Sequence, residues 1–395
     1  MTEIENSDDA DVIVIGGGPV GAVLALALNQ GAGERLRVTV LEAQADSAPR
    51  ADSRTLALSH GSRLILERVG VWQQMEAITP ITRIHISQRG SFGRALLRAE
   101  DAGLPALGYV IFFAELQQAL QSALHQSGVH YLTGAPVSAV TPDALAAGVR
   151  FTHHGVERKM TAALAVLADG GRSLQNIPGI TRESRDYHQS AVVCQVSSAV
   201  PHQNLAYERF TAEGPAALLP SGADYALVWT STPQRIEALL ALSDAEFLTQ
   251  LHAHFGDRQG AFLTVGRRNS FPLGLQQSKP VTGARLVLIG NAAQMLHPVA
   301  GQGFNMGLRD AWELAQTTLA CSPERIGDTA MLREYAKGRR LDTQGGVFFT
   351  DLLVRGFSNN IPGLRPFRGL SLSLLDTLPP LKSFVAQRMI FGAKG

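Results

Sequence analysis

Asp11 to Glu42 reads DVIVIGGGPVGAVLALALNQGAGERLRVTVLE. Val12-Ile13-Val14-Ile15 is an apolar run of strand type, Gly16-Gly17-Gly18-Pro19-Val20-Gly21 supplies the spacing G-x-G-x-x-G, and a helix is predicted from Ala22 to Asn29. Arg37 to Leu41 then reads as a second strand. It ends in Glu42, about where an acidic residue meets a ribose hydroxyl in such a unit. The three spaced glycines have separate tasks: Gly16 permits the tight turn, Gly18 lets a pyrophosphate approach the helix N-terminus, and Gly21 allows helix to pack on strand. Strand, turn, helix and terminal acid together predict a Rossmann-like dinucleotide-binding domain.

A second stretch, Ala284 to Leu314, reads ARLVLIGNAAQMLHPVAGQGFNMGLRDAWEL. Leu286 to Ile289 is a short strand closed by Gly290 and Asn291, and a helix is predicted from about Asn305. Between them the loop His297 to Gly303 is too rich in glycine to serve packing. Glycine lets a backbone approach a flat ligand, and the helix N-terminus beyond offers unpaired N–H groups and positive potential. A reduced flavin, which carries negative charge on one ring edge, suits that loop.

Composition narrows the rest. A chain of 395 residues is long for one domain and suggests two. A formal charge of +1 argues against a nucleic-acid partner. Cys194 and Cys321 lack metal or disulfide spacing. The N-terminus is acidic without an apolar h-region, and no run approaches the roughly 18 apolar residues of a membrane span. A cytoplasmic chain is expected, with a peripheral place at the inner membrane face as its alternative.

The pattern G-(D/N)-A-A-x-x-x-x-P-x-x-G-Q-G-x-N, carried here from Gly290 to Asn305, resembles the second flavin-binding motif of the aromatic-ring hydroxylases. These are single-component FAD monooxygenases of the p-hydroxybenzoate hydroxylase type. Gly290-Asn291-Ala292-Ala293-Gln294 is most similar to their ubiquinone-biosynthesis branch, although Asn291 and Gln294 stand where most such hydroxylases have Asp and His. Val166 to Ser173, VLADGGRS, resembles the family's D-G motif at Asp169, Gly170 and Ser173. The Arg that follows there in the family is absent.

The resemblance implies an α/β fold: a discontinuous Rossmann-like FAD-binding domain (1–78, 109–180, 276–330), an inserted, mainly antiparallel substrate sheet (79–108, 181–275) and a helical C-terminus (331–395). It implies FAD contacts at Gly16, Gly18, Gly21, Glu42, Arg54, Gln118, Asp169, Gly170, Gly290, Asn291, Gly301 and Gly303. Phe304 and Asn305 join them, giving backbone donors to the flavin edge, and Pro298 would border the oxygen site. It also implies hydroxylation of a polyprenylated phenol, of 2-polyprenyl-6-methoxyphenol type, through a flavin C4a-hydroperoxide. NADPH or NADH would be a transient electron donor, since no second complete dinucleotide fingerprint is present. His297 is the one candidate base, with second-sphere scaffolding as an equal alternative. Another flavin enzyme of the superfamily and a non-catalytic scaffold of a biosynthetic complex are the competing readings.

Strands are predicted at Ile81 to Ser87 and Ala95 to Arg98, then a helix from Tyr109 to Leu124. Between Ser190 and Phe271 strands predominate, with one helix around Asp244 to Phe255. Glu208-Arg209-Phe210 also resembles the ubiquinone hydroxylases at their substrate sheet. In the tail, Phe367, Leu370, Leu374 and Leu378 recur at helical spacing, and Lys382, Arg388 and Lys394 lie among later apolar residues. Such a face either packs back on the FAD domain or meets an anionic bilayer or a partner subunit of the same biosynthesis.

Overall fold

The computed structural model describes residues 5–6, 9–46, 54–175, 177–297, 301–357 and 364–392. Its helices are α1 (Pro19–Ala32), α2 (His60–Arg68), α3 (Phe113–Gln126), α4 (Pro233–Ala241), α5 (Asp244–Phe255), α6 (Gln302–Ala320), α7 (Thr329–Phe357), α8 (Leu364–Thr377) and α9 (Pro379–Phe391).

The strand Ala10–Ile15 lies at the centre of a parallel sheet. Val38–Leu41 pairs on one side of it and the end of Val156–Leu167 on the other, with His130–Leu132 and Leu286–Leu288 outside these. Parallel strands are covered on both faces and so need unbroken apolar runs. Val12, Ile13 and Val14 are fully buried. Helices α1, α3 and α6 cover one face, and an antiparallel meander (137–142, 147–153, 156–167) folds Val140, Val149 and Phe151 onto Ile13 and Ile15 across the other.

A second sheet runs in the order 294–295, 269–279, 181–198, 224–231, 215–221, 205–210, 83–88, 94–98. All its pairings are antiparallel except that of 205–210 with 83–88. Side-chain alternation gives it two distinct faces. On one, Val192, Leu218, Leu227 and Trp229 pack against Ile236, Leu239, Phe247 and Leu251 of α4 and α5. On the other, Val193, Val228, Ala217, Glu208 and Ile86 form one cross-strand row.

The two sheets are joined by a long two-stranded ribbon. Thr181 to Asp186 pairs with Lys279 to Gly274, the register slips between Asp186 and Gln189, and pairing resumes from Gln189 with Leu273. His188 takes a positive φ of 52° at the slip.

Three expectations are corrected. Tyr109, Val110 and Ile111 are strand, not helix, because they pair with Leu58, Ala57 and Leu56, and α3 starts at Phe113. The 190–271 region holds two helices: α4 is started by Thr232, whose side chain accepts the Arg235 N–H, and by Pro233 at the first helical position. Helix α6 begins at Gln302.

The tail does two things at once. Ala386 and Ile390 of α9 pack on Leu97, Ala99 and Leu107, and Asp376 of α8 accepts the edge-strand Leu96 N–H at 2.9 Å. The outer side leaves Phe367 66% and Phe384 62% exposed, with Leu370, Leu374 and Leu378 also open. No helix among the described residues is long and apolar enough to cross a membrane.

Candidate active site

One cavity of about 1750 Å³ runs between the parallel sheet and the second sheet. At one end it is bordered by two helix N-termini. Helix α1 is capped by Gly18 and α6 by Gly301; neither has a side-chain cap nor an acidic residue in its first turn. Their leading N–H groups and positive dipole ends are left for an anionic ligand.

The glycines fit a close-approaching dinucleotide. A Cβ on Gly16, which has φ +108°, would come within 2.8 Å of the Ala168 and Asp169 backbone, and one on Gly21 would strike the Gly16 carbonyl oxygen. A Cβ on Gly18 would meet no protein atom within 4 Å, so the space in front of this residue belongs to the cavity. Gly21 serves packing behind it.

Glu42 accepts the Gly17 N–H at 2.7 Å and the Gln44 N–H at 2.8 Å, which fixes its carboxylate at the cavity edge. Asp169 accepts from the Gly171 and Ser173 N–H groups at 2.8 and 2.7 Å, holding the loop that presents Gly170. Arg54 lies over the Phe113 ring at 4.9 Å. Asn305 is buried: its oxygen accepts the Ser59 N–H at 2.8 Å and its amide donates to Ala57 O at 3.0 Å, locking the start of α6 to the strand Thr55–Ser59. Gly16, Gly18, Glu42, Arg54, Asp169, Gly170, Gly290, Asn291, Gly301, Gly303, Phe304 and Asn305 all line this cavity.

Three of the expected residues do not line it: Gly21, which packs behind the turn, Gln118 and His297. Gln118 is exposed on the outer side of α3; the neighbouring Gln117 is buried and donates to the Gly17 carbonyl oxygen at 3.1 Å. The inward side of α3 carries Leu116, Gln117 and Leu120, which leaves Gln118 outside. His297 is 1% exposed, packs edge-on to Tyr187 and sits 3.2 Å from Gln189 Oε1. Burial lowers its pKa to about 4, so its ring is neutral at ordinary pH. Pro298 lies outside the described residues.

Beneath the Gly290 turn is a buried ionic cluster. Asp310 accepts the Gly290 N–H at 3.1 Å and the Gln294 amide at 2.8 Å. Arg339 of α7 donates to Asp310 at 2.7 Å and to Asp342 at 2.6 Å, while Arg309 pairs with Asp342 at 2.7 Å. All three partners of the central pairings, Asp310, Arg339 and Asp342, are buried.

At its other end the cavity is apolar. Ile84, Ile86, Ala206, Ala217, Val228 and Phe210 come from the sheet, and Leu372, Leu375, Val385, Met389 and Ile390 from the tail. One carboxylate interrupts this wall: Glu208, with Ile86 and Ala217 as its strand neighbours. No hydrogen bond or ion pair reaches its carboxylate among the described residues, and burial pushes its pKa up to about 7.

A family model described as "FAD binding domain" matches residues 9–347. The ubiquinone hydroxylase UbiL of Rhodospirillum rubrum is 34% identical over 94% of this chain and 87% of its own length. The chain belongs to the FAD-dependent ubiquinone hydroxylase family. The hydroxylase is also 31% identical to the 3-demethoxyubiquinol 3-hydroxylase of Escherichia coli K12, over 94% of this chain and 96% of that relative. Its fold is that of p-nitrophenol 4-monooxygenase PnpA from Pseudomonas putida DLL-E4, with a TM-score of 0.79, 18% identity and coverage of 98% of this chain and 99% of that one. The expected α/β architecture of the p-hydroxybenzoate hydroxylase type is therefore present, and the protein is an FAD-dependent monooxygenase.

Proposed function

We propose that this hydroxylase oxidises the ring of a polyprenylated phenol of the 2-polyprenyl-6-methoxyphenol type in ubiquinone biosynthesis, with O2 as oxygen source and NADPH or NADH as transient electron donor. The observation that carries the reading is the continuous cavity of about 1750 Å³, polar and glycine-lined at one end and apolar at the other. Pockets for one drug-sized ligand are roughly 300 to 1,000 Å³. The excess is room for an isoprenoid chain beside the cofactor.

When bound, FAD supplies electrons and activated oxygen for the ring. The α1 N-terminus would hold its pyrophosphate, Glu42 a ribose hydroxyl, and the Gly303, Phe304 and Asn305 N–H groups the charged edge of the flavin. Arg54, Asp169, Gly170, Gly290 and Asn291 would flank it. Glu208 would accept the phenolic O–H, drawing electron density onto the ring carbons to be attacked. The apolar wall excludes water from that exchange.

A substrate this apolar resides in a bilayer, so the exposed face of α8 and α9 is assigned to the membrane surface, with other proteins of the same biosynthesis as further partners there. The test is quinone-intermediate analysis in cells lacking the protein. Accumulation of a prenylated phenol that the purified, flavin-loaded enzyme converts supports the reading. An unchanged quinone profile, with turnover of small soluble phenols alone, rejects it.

A further inference from the structure

A second, smaller cavity of about 210 Å³ lies on the α5 side of the second sheet. Strand alternation puts it on the opposite face from Glu208 and the flavin cavity. Arg209, Ser87 and Arg94 stand side by side in one cross-strand row, and Tyr207 and His85 in the next. Arg258 closes the pocket from beyond α5, and Gln88 and Gln259 complete its lining.

The charge here is one-sided. Arg94, Arg209, Arg258 and His85 line the pocket and no carboxylate does. The Arg94 side chain makes no hydrogen bond or ion pair among the described residues. Arg258 spends one N–H on His85 Nε2 at 2.9 Å, so His85 is the neutral tautomer with its proton on Nδ1, and that Nδ1 has no partner. Arg209 donates to Phe255 O at 2.7 Å but its buried Nε is also unpartnered. Gln88 and Gln259, 5% and 3% exposed, leave their amide oxygens unpartnered, and a half-turn would present their NH2 groups instead. Arg94 and Arg258 are exposed and Arg209 half-buried, so three guanidinium groups converge on one small cavity with no carboxylate to compete for them, and an anion seated there would accept charge-assisted hydrogen bonds from them.

The surroundings say which anion. The turn Ser91-Phe92-Gly93 forms one lip of the pocket, and a Cβ on Gly93 would strike the Gly369 backbone of α8. Phe92 of this lip is 72% exposed, and α8, which abuts the lip at Gly369, carries the exposed Phe367 and Leu370 next to that contact. An anion whose own molecule is apolar fits a basic pocket with an apolar rim. A soluble nicotinamide dinucleotide held here would be on the wrong side of the sheet to reach the flavin.

We propose that this pocket binds the phosphate of an anionic phospholipid headgroup, with Phe92, Phe367 and Leu370 in the acyl region. The assignment rests on the membrane placement of the preceding section and gives it a specific ligand. The experiment uses the full-length, FAD-loaded protein and co-sedimentation with vesicles of phosphatidylcholine, with and without one third phosphatidylglycerol. Wild type should bind the anionic vesicles about tenfold more tightly or better, Arg94→Ala/Arg258→Ala should lose most of that preference, and a control losing equal charge elsewhere, Arg37→Ala/Arg150→Ala, should keep it. Flavin content of each variant reports folding, and Arg94→Gln/Arg258→Gln, which preserves bulk, should match the Ala pair. Equal loss in the control pair would reduce the effect to net charge and overturn the pocket. So would suppression of vesicle binding in none of the variants, or saturation by millimolar inorganic phosphate with no vesicle preference. Failure of wild type to bind either vesicle would overturn the membrane placement itself.

Discussion

The Gln117 amide donates to the Gly17 carbonyl oxygen at 3.1 Å, across 100 residues of chain, and ties α3 to the turn that feeds α1. Gln117→Leu strands a buried acceptor and should weaken flavin affinity and thermal stability, each by about 1 to 3 kcal/mol. Gln118→Leu, on the exposed side, should change neither. Flavin titration of the two apoproteins separates them.

Gly18→Val should give a folded, soluble and colourless protein. The added side chain meets no protein atom, since nothing lies within 4 Å of that Cβ direction, yet it fills the approach to the α1 N-terminus. A yellow, stoichiometrically loaded variant would remove this turn from the cofactor site.

Arg339→Met should be costly although Arg339 does not itself line the cavity. It leaves Asp310 and Asp342 facing each other without their shared cation, and breaking a buried pair on one side typically destabilises by about 3 to 5 kcal/mol. Because Asp310 also holds the Gly290 N–H, flavin retention should fall with it. Urea unfolding of holo and apo forms reads both effects.

Burial lowers His297 to about 4 and His254 to about 3 from an ordinary 6.5. The unfolded chain therefore binds more protons than the native one below pH 6.5, so stability rises with pH through this window and is lost on acidification. At pH 5 each histidine should remove about 2 kcal/mol. His297→Gln should flatten the dependence of unfolding free energy on pH between 5 and 6.5; an unchanged slope would mean that His297 titrates normally in the native state.

Glu208→Gln should retain FAD, because no cofactor-lining turn touches it, and lose ring hydroxylation by about a hundredfold. The wild-type profile should rise with pH through about 7 as the carboxyl ionises, and the variant should lack that limb. Product formation across pH, with flavin content as control, is the measurement. Wild-type turnover in the variant would make Glu208 a bystander.

Much of the cofactor end was legible because its chemistry is local. Gly16, Gly18, Glu42, Gly290 and Gly301 owe their places to turns and helix starts that neighbouring residues write directly. Gln117 rather than Gln118 reaches the turn because α3 turns its Leu116, Gln117 and Leu120 side inward, an orientation set by what the helix packs on. His297 looked reactive in sequence, and tertiary burial against Tyr187 and Gln189 takes it off the cavity lining. Glu208 and the Arg94, Arg209 and Arg258 cluster depend on strand register between segments more than 100 residues apart, such as Glu208 with Ile86, which no local pattern encodes.

The ribbon of residues 181–198 and 269–279 carries a mechanical consequence. Two hydrogen-bonded strands resist stretching and shear, so the sheets cannot slide apart as hinged lobes. Where the register slips at Tyr187 and His188 the ladder is interrupted, and there the ribbon yields to torsion. Tyr187 is also the ring stacked edge-on against His297, beside the glycine loop of the cofactor site. A twist of the substrate sheet would therefore reach His297 through two contacts, the Tyr187 ring and the Gln189 amide, one on each side of the slip.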